Sequence, residues 1–261
     1  MDLGLKDHYV LVTGSSRGIG LSIAEEFLRE EANVILTGRD KEVLNAVLKD
    51  LSARYKKRKV LGFAGDLGQE RTVTQLKDFV EKNIGRLDHL VCNIGSGRSV
   101  PPLQEDLNEL RRMLDVNFLS SVMSVQTMLL LLEKNSLKQR ETATITFIGS
   151  ICGVSALGCP AGYAAAKSAL EAYARNIARP LGARGIRVNV VSPGNIFFPG
   201  SVWEKKLKEN KEAVEEMLKN NVSLQRMGDP GEVAAAVVFL ASNKAKFVTG
   251  ANWIVDGGQL R

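Results

Sequence analysis

The chain has 261 residues, 44% hydrophobic and 25% charged, a balance that suits one α/β domain over 1–261 better than two small ones. The net charge of +6 draws on Arg54, Lys56, Lys57, Arg58 and Lys59 and on Lys205, Lys206, Lys208 and Lys211. These sit beside acidic residues or at helix ends, with no recognition motif, so the charge suits a small anionic ligand and not nucleic acid. The three cysteines, Cys92, Cys152 and Cys159, form no C-x-x-C pair, and the longest apolar run, 233–241, is about half a membrane span. Neither a disulfide framework, a metal site nor a bilayer crossing is expected. The short polar start does not read as a signal peptide, and a reducing, cytoplasmic setting is expected.

Short β-branched runs alternate with helical patterns along the chain. A strand over 8–12 leads to a helix over 19–29, whose Ile19, Ile23, Ala24 and Phe27 share a face. After a strand over 33–37, Asp40 is placed to cap a helix over 41–54. Strand 59–64, helix 72–82 and strand 87–92 come next. A long helix over 107–132 and a strand over 142–148 follow. An alanine-rich helix over 163–183 precedes a strand over 186–191. Helices over 202–219 and 231–240 and a strand over 252–255 complete the series. This alternation predicts parallel βαβ units: a doubly wound, Rossmann-like sheet of about seven strands, with helices on both faces.

Between the first strand and the first helix lies Thr13-Gly14-Ser15-Ser16-Arg17-Gly18-Ile19-Gly20. Glycines there let the backbone turn sharply and approach a pyrophosphate, while the helix N-terminus offers free N–H groups. The spacing is G-x-x-x-G-x-G, not the better-known G-x-G-x-x-G. The same residues fit G-x-S-x-G, which would make Ser16 a hydrolase nucleophile. That reading requires a late histidine, and the chain has only His8 and His89. At the end of the second strand, a carboxylate would bind a ribose 2′-hydroxyl, whereas arginine accepts a 2′-phosphate. The chain reads Thr37-Gly38-Arg39 there, with Arg17 as a second cation, which favours NADP(H) over NAD(H).

Tyr163 and Lys167 lie four apart and share a face of their predicted helix. Lowering a phenol from pKa ~10 to neutrality requires about 4 kcal/mol. One cation about 4 Å away, at an effective dielectric near 20, supplies an interaction of that order. The pair is therefore expected to form a proton carrier. Ser150, thirteen residues before Tyr163, is placed to hold a substrate oxygen. Asn117, in Asp115-Val116-Asn117-Phe118, is a poor helix former inside a predicted helix and calls for another reason.

With these residues in this order, the sequence resembles the short-chain dehydrogenases/reductases from Tyr9 to Gly258. Asp66-Leu67, Asn93-Ile94-Gly95, Pro193-Gly194 and Asp256-Gly257-Gly258 complete the pattern. The resemblance implies a catalytic tetrad of Asn117, Ser150, Tyr163 and Lys167. Tyr163 would protonate the nascent alkoxide, Lys167 would hold the nicotinamide ribose, and Asn117 would position a relay water. It implies cofactor contacts from the glycine turn, from Asp66 and Leu67 at the adenine, and from Asn93, Pro193, Gly194 and Ile196. A homotetramer or dimer is implied too, through the helices around Asn117 and after Tyr163. One departure stands out: Phe198 occupies the place of a threonine that meets the nicotinamide carboxamide. The expected substrate region lies between the 150–162 loop and a lid over 195–220, with Val154, Leu157, Phe197, Phe198 and Trp203 as its apolar part. Ketone reduction is the leading expectation, with β-ketoacyl-thioester reduction as runner-up and a non-catalytic dinucleotide sensor as the rival of another class.

Overall fold

The computed structural model describes residues 2–139 and 143–260, with the backbone alone over 135–139. Seven strands, β1 (Tyr9–Val12), β2 (Asn33–Gly38), β3 (Val60–Ala64), β4 (His89–Cys92), β5 (Ala143–Ile148), β6 (Ile186–Pro193) and β7 (Asn252–Val255), form one parallel sheet. Their order is β3-β2-β1-β4-β5-β6-β7. Such pairing requires crossovers, and helices supply them. Thr142, expected to open β5, lies outside the described residues.

The strands alternate their side chains between two cores, as the pleat demands. Val10, Val12, Val34, Leu36 and Val91 point to one face, with Ile23 and Phe27 of α1 (Gly18–Arg29), Leu44 and Leu51 of α2 (Lys41–Arg54), and Val233 and Val237 of α9 (Pro230–Ala241). Leu11, Ile35, Leu90, Ile145 and Val188 point to the other. There they meet Leu76 of α3 (Glu70–Asn83), Met128 of α5 (Ser120–Gln139) and Leu170 and Ala174 of α6 (Ala161–Gly182). Asp40 caps α2 as expected, accepting from the Glu42 and Val43 amides.

Three features differ from the sequence-based expectation. The long helix is interrupted: α4 (Leu107–Leu114) passes into a π-helical turn (Asp115–Leu119) before α5. The predicted 202–219 helix is two, α7 (Val202–Glu209) and α8 (Lys211–Asn221). Asn210 leaves helical geometry and caps α8 through its side chain, accepting from the Ala213 amide. The helical run Leu107–Lys134 has the length and, at a mean hydropathy of 1.4, the apolarity of a membrane span, which the 233–241 run lacks. Here Met113, Val125, Met128, Leu131 and Leu132 are buried in the protein's own interior.

At the N-terminal edge of the sheet, His89 is buried. Its Nδ1 lies 2.8 Å from Thr144 Oγ1, its Nε2 lies 2.9 Å from His8 Nδ1, and the Phe27 ring stacks on it at 5.9 Å. Burial, reinforced by His8 and Arg187, pushes its pKa well below the ordinary 6.5. The fold holds this ring neutral, whereas the unfolded chain protonates near pH 6.5, so the associated stability is full above that pH and lost below it. Stability is expected to fall by up to about 1.4 kcal/mol per pH unit as pH drops from 6.5 toward 5. Urea melts across that range should show the slope, and His89→Asn should flatten it. A wild-type slope indistinguishable from the variant's would contradict the assignment.

Candidate active site

Strand order reverses between β1 and β4, which leaves a crevice beyond their C-terminal ends, where ligands of open α/β sheets bind. The glycine turn after β1 borders it. Gly14 and Gly18 take left-handed backbone, φ 62° and 58°, which side chains disfavour. Asn93, one residue past β4, braces this turn: its Nδ2 donates to the carbonyls of Thr13 at 3.1 Å and Gly14 at 2.9 Å. Ser15 pins the turn from below, donating to the Val12 carbonyl and accepting from the Thr37 amide. Ser16 lies over β2, where a Cβ on Gly38 would stand 3.0 Å from its Oγ.

The N-terminus of α1 has no side-chain cap and no acidic residue in its first turn; α3 and α6 also lack a side-chain cap, but only α1 begins at the glycine turn beside the crevice. The amides of Gly18, Ile19 and Gly20 are thus left for an anion. Arg17 and Arg39 are exposed, and among the described residues neither takes part in an ion pair. This donor set fits a dinucleotide carrying a 2′-phosphate. Asp66 is exposed after β3, its Oδ1 accepting from the Gly68 amide, while Leu67 is buried. Pro193 closes β6, the Gly194 amide donates to the Val255 carbonyl, and Ile196 is buried and bridged to Gly228.

The four polar residues of the implied tetrad come from three places in the fold. Ser150 follows β5 and caps a single 3₁₀ turn (Ile151–Gly153), its Oγ accepting from the Cys152 amide at 3.2 Å. Tyr163 lies in the first turn of α6, with Lys167 one turn further along. Asn117 lies in the π turn and is fully buried; its Oδ1 accepts from the Ser96 amide at 2.8 Å, and its Nδ2 donates to the Ser96 and Met113 carbonyls. The segment from Gly95 to Gly97 joins these residues. A Cβ on Gly95 would stand 2.9 Å from Asn117 Oδ1 and 3.2 Å from Lys167 Nζ, and one on Gly97 would stand 3.8 Å from the Tyr163 ring.

The electrostatics depart from expectation. Lys167 Nζ donates to the Ile148 carbonyl at 2.7 Å and lies 6.0 Å from the centre of the Tyr163 ring. Burial pushes the Lys167 ammonium down to about 8. Burial also pushes the Tyr163 phenol up, and it is the Ser150 hydroxyl, not the ammonium, that acts against this. In the protein alone, desolvation outweighs the cation.

Other features escaped the sequence reading. Cys152 and Cys159 form a disulfide, their Cα atoms 6.2 Å apart across the Ser150–Tyr163 loop. The 3₁₀ turn at Cys152 folds the chain back toward Pro160, and sequence spacing alone carries no sign of that return. Arg98, unremarked in the sequence, reaches the 195–220 segment and donates to the Gly200 carbonyl at 2.9 Å.

A crevice of this kind, floored by an uncapped glycine turn and walled by a tyrosine–lysine pair, belongs to a Rossmann-type oxidoreductase. Comparison with known proteins narrows the class. A family model described as enoyl-(acyl carrier protein) reductase matches residues 14–259. Isoepoxydon dehydrogenase of Penicillium expansum is 32% identical, the match covering 98% of this chain and 95% of that protein. The 3-oxoacyl-[acyl-carrier-protein] reductase of Homo sapiens is 31% identical over 97% of this chain and 98% of its own. Among solved structures, L-sorbose reductase from Gluconobacter frateurii, complexed with NADPH and L-sorbose, gives a TM-score of 0.92 at 27% identity, covering 100% of this chain and 99% of that one. The chain belongs to the short-chain dehydrogenase/reductase family, whose members named here oxidise alcohols or reduce their carbonyl counterparts.

Proposed function

We propose that this chain is an NADP(H)-dependent carbonyl reductase, moving a hydride between nicotinamide and a ketone or secondary alcohol carbon with Tyr163 as proton carrier. The observation that carries the reading is the convergence of Asn117, Tyr163 and Lys167 on the Gly95–Gly97 segment beside the switch-point crevice, with the Ser150 hydroxyl hydrogen-bonded to Tyr163. The dinucleotide, when bound, supplies or accepts the hydride. Ser150 holds the substrate oxygen, and Tyr163 gives that oxygen its proton as the carbonyl is reduced. A phenol raised by burial is fully protonated at neutral pH, which suits an acid acting in the reducing direction. Lys167 holds the nicotinamide ribose, and Asn117 orders a relay water.

Gly14, Ser16, Gly18, Ile19 and Gly20 receive the pyrophosphate, and Asp66 with Leu67 borders the adenine. Asn93, Pro193, Gly194 and Ile196 line the nicotinamide half. Arg17 and Arg39, cations without ion-pair partners among the described residues, select the 2′-phosphate. The protein acts as a single domain, with residues 195–220 as lid. Its working compartment is the cytoplasm, where reductants would hold Cys152 and Cys159 as thiols for much of the time.

A second reading, reduction of a β-ketoacyl thioester, draws on a cavity of about 400 Å³ between the lid helices, lined by Phe197, Leu207, Leu218 and Met227. It would accept an apolar tail, and a relative named above is an acyl-carrier-protein reductase. A dimer or tetramer belongs to the proposal as well. Leu107, Leu114, Leu119 and Leu130 are exposed on α4, the π turn and α5, and Ala165 and Ala172 are exposed on α6, where small side chains permit close helix approach.

NADPH consumption should appear with simple ketones and not with acyl thioesters alone; the reverse pattern selects the second reading. Tyr163→Phe should retain NADPH binding while turnover falls roughly 10²- to 10⁴-fold. A variant that matched the wild type in its cellular role would instead identify a dinucleotide sensor. Arg39→Ala should weaken NADPH by about 10- to 150-fold and leave NADH nearly unchanged, and equal losses for both would remove the 2′-phosphate assignment. Sedimentation velocity should show a species of two or four chains, and Leu130→Lys should shift it toward monomer.

A further inference from the structure

The start of the lid lies directly over the glycine turn. Ile196 bridges to Gly228, the Phe197 amide donates to the Gly228 carbonyl, and the Gly228 amide donates to the Asn195 carbonyl. Two residues beyond Phe198, the Gly200 carbonyl accepts from Arg98 at 2.9 Å and the Gly200 amide donates to Glu204 at 2.7 Å. The Ser201 amide returns to the Phe198 carbonyl at 3.0 Å. The backbone is therefore held on both sides of Phe198, and its ring is pressed onto Gly18. A Cβ on Gly18 would stand 2.6 Å from Phe198 Cε2 and 2.8 Å from Cζ.

Gly18 is the first residue of α1, at the uncapped N-terminus where a pyrophosphate would approach the backbone. The ring takes up the face that a missing side chain leaves open. On the same side, Arg17 Nη1 lies 3.9 Å from where a Cβ on Gly200 would stand. The lid segment thus reaches from the glycine turn to the Arg98 loop, across the mouth of the crevice.

We propose that Phe198 is an aromatic bolt on the pyrophosphate half of the cradle: the free protein rests with its ring on Gly18, and a dinucleotide enters only after that ring swings away. This rests on the dinucleotide reading above and adds a gate to it. The ring is half-buried, packed beside Ile196 at the margin of the α1–α9 core, and leaving Gly18 sacrifices those contacts. A protein that must open first has its apparent affinity reduced by the fraction that is open. Its binding rate also levels off, at high ligand, at the rate of opening.

The test is stopped-flow and equilibrium titration of NADPH fluorescence, with adenosine 2′-monophosphate as a fragment that lacks the pyrophosphate. In the wild type, the observed rate should saturate with NADPH concentration. Phe198→Ala should restore a linear dependence and tighten NADPH by about tenfold, as expected when a mostly closed state is removed, while leaving adenosine 2′-monophosphate affinity unchanged. Phe198→Leu, which keeps the apolar packing of the lid, should show the same change in smaller degree if the alanine variant is poorly folded. Linear wild-type kinetics with weaker NADPH binding in both variants would overturn the bolt and make Phe198 a wall of the site, leaving the dinucleotide reading intact. Failure of the folded wild type to bind either nucleotide would overturn both.

Discussion

The crevice depends on how β1 and β4 are held where strand order reverses. The Asn93 side chain does this, its amide spanning from the end of one strand to the Thr13 and Gly14 carbonyls that end the other. An unbonded carbonyl in that turn would carry the full desolvation cost of a lost partner. With both satisfied, the glycine turn cannot drift from the Gly95–Gly97 segment that follows Asn93. That segment in turn carries Asn117 and lies against Lys167 and Tyr163. Together with the β1–β4 ladder and the Thr13 hydroxyl, which donates to the Val91 carbonyl and accepts from the Asn93 amide, the Asn93 side chain sets the distance between the glycine turn and the Gly95–Gly97 segment.

The tyrosine–lysine pair shows why a motif is not yet a mechanism. The ammonium lies 6.0 Å from the ring centre, and the Ser150 hydroxyl, not this cation, is what acts to lower the phenol. Yet burial prevails and the phenol is raised. The same burial lowers Lys167, so the two groups are driven toward neutrality together. The sheet contributes a dipole as well, because the Ile148 carbonyl at the end of β5 accepts the ammonium's hydrogen bond. In the role proposed above, Tyr163 would respond strongly to any further positive charge brought into the crevice, because a buried site screens it poorly. The four-residue spacing thus supplies the geometry of the pair and not a lowered phenol.

Most of the fold is legible because period-2 and period-3.6 patterns are long and unambiguous here. Val10, Leu11 and Val12 announce a strand buried on both faces, and Ile23 and Phe27 mark the inner stripe of α1. Local exceptions are not. Asn117 is visible as a residue out of place in a helix, but the π turn that turns its amide toward Ser96 depends on contacts with a distant loop. The break at Asn210 has a capping residue in plain view, overridden in a helical reading by the lysines and glutamates on either side. The Cys152–Cys159 bond, the Arg98 clasp and the Phe198 contact join segments whose meeting only the tertiary fold decides. The motifs of the site and the segments around it were therefore readable, whereas the contacts that join those segments were not.

Those walls explain how a shared scaffold acquires its own selectivity. Two segments enclose the crevice, and they are stiffened by different means. The loop between Ser150 and Tyr163, across which Cys152 and Cys159 meet, is anchored where the Ser168 hydroxyl donates to the Gly153 carbonyl. The lid is anchored by backbone bonds to Gly228 and by two charged side chains, Arg98 and Glu204, at Gly200. A threonine at position 198 would offer a single hydroxyl to a carboxamide. A phenylalanine has no donor, and the surface it meets is Gly18, where any larger residue would be displaced. Where the family resemblance implies a polar contact with the ligand, this chain has an apolar contact of the protein with itself, so the free energy at this position goes into holding the 195–220 segment against the glycine turn.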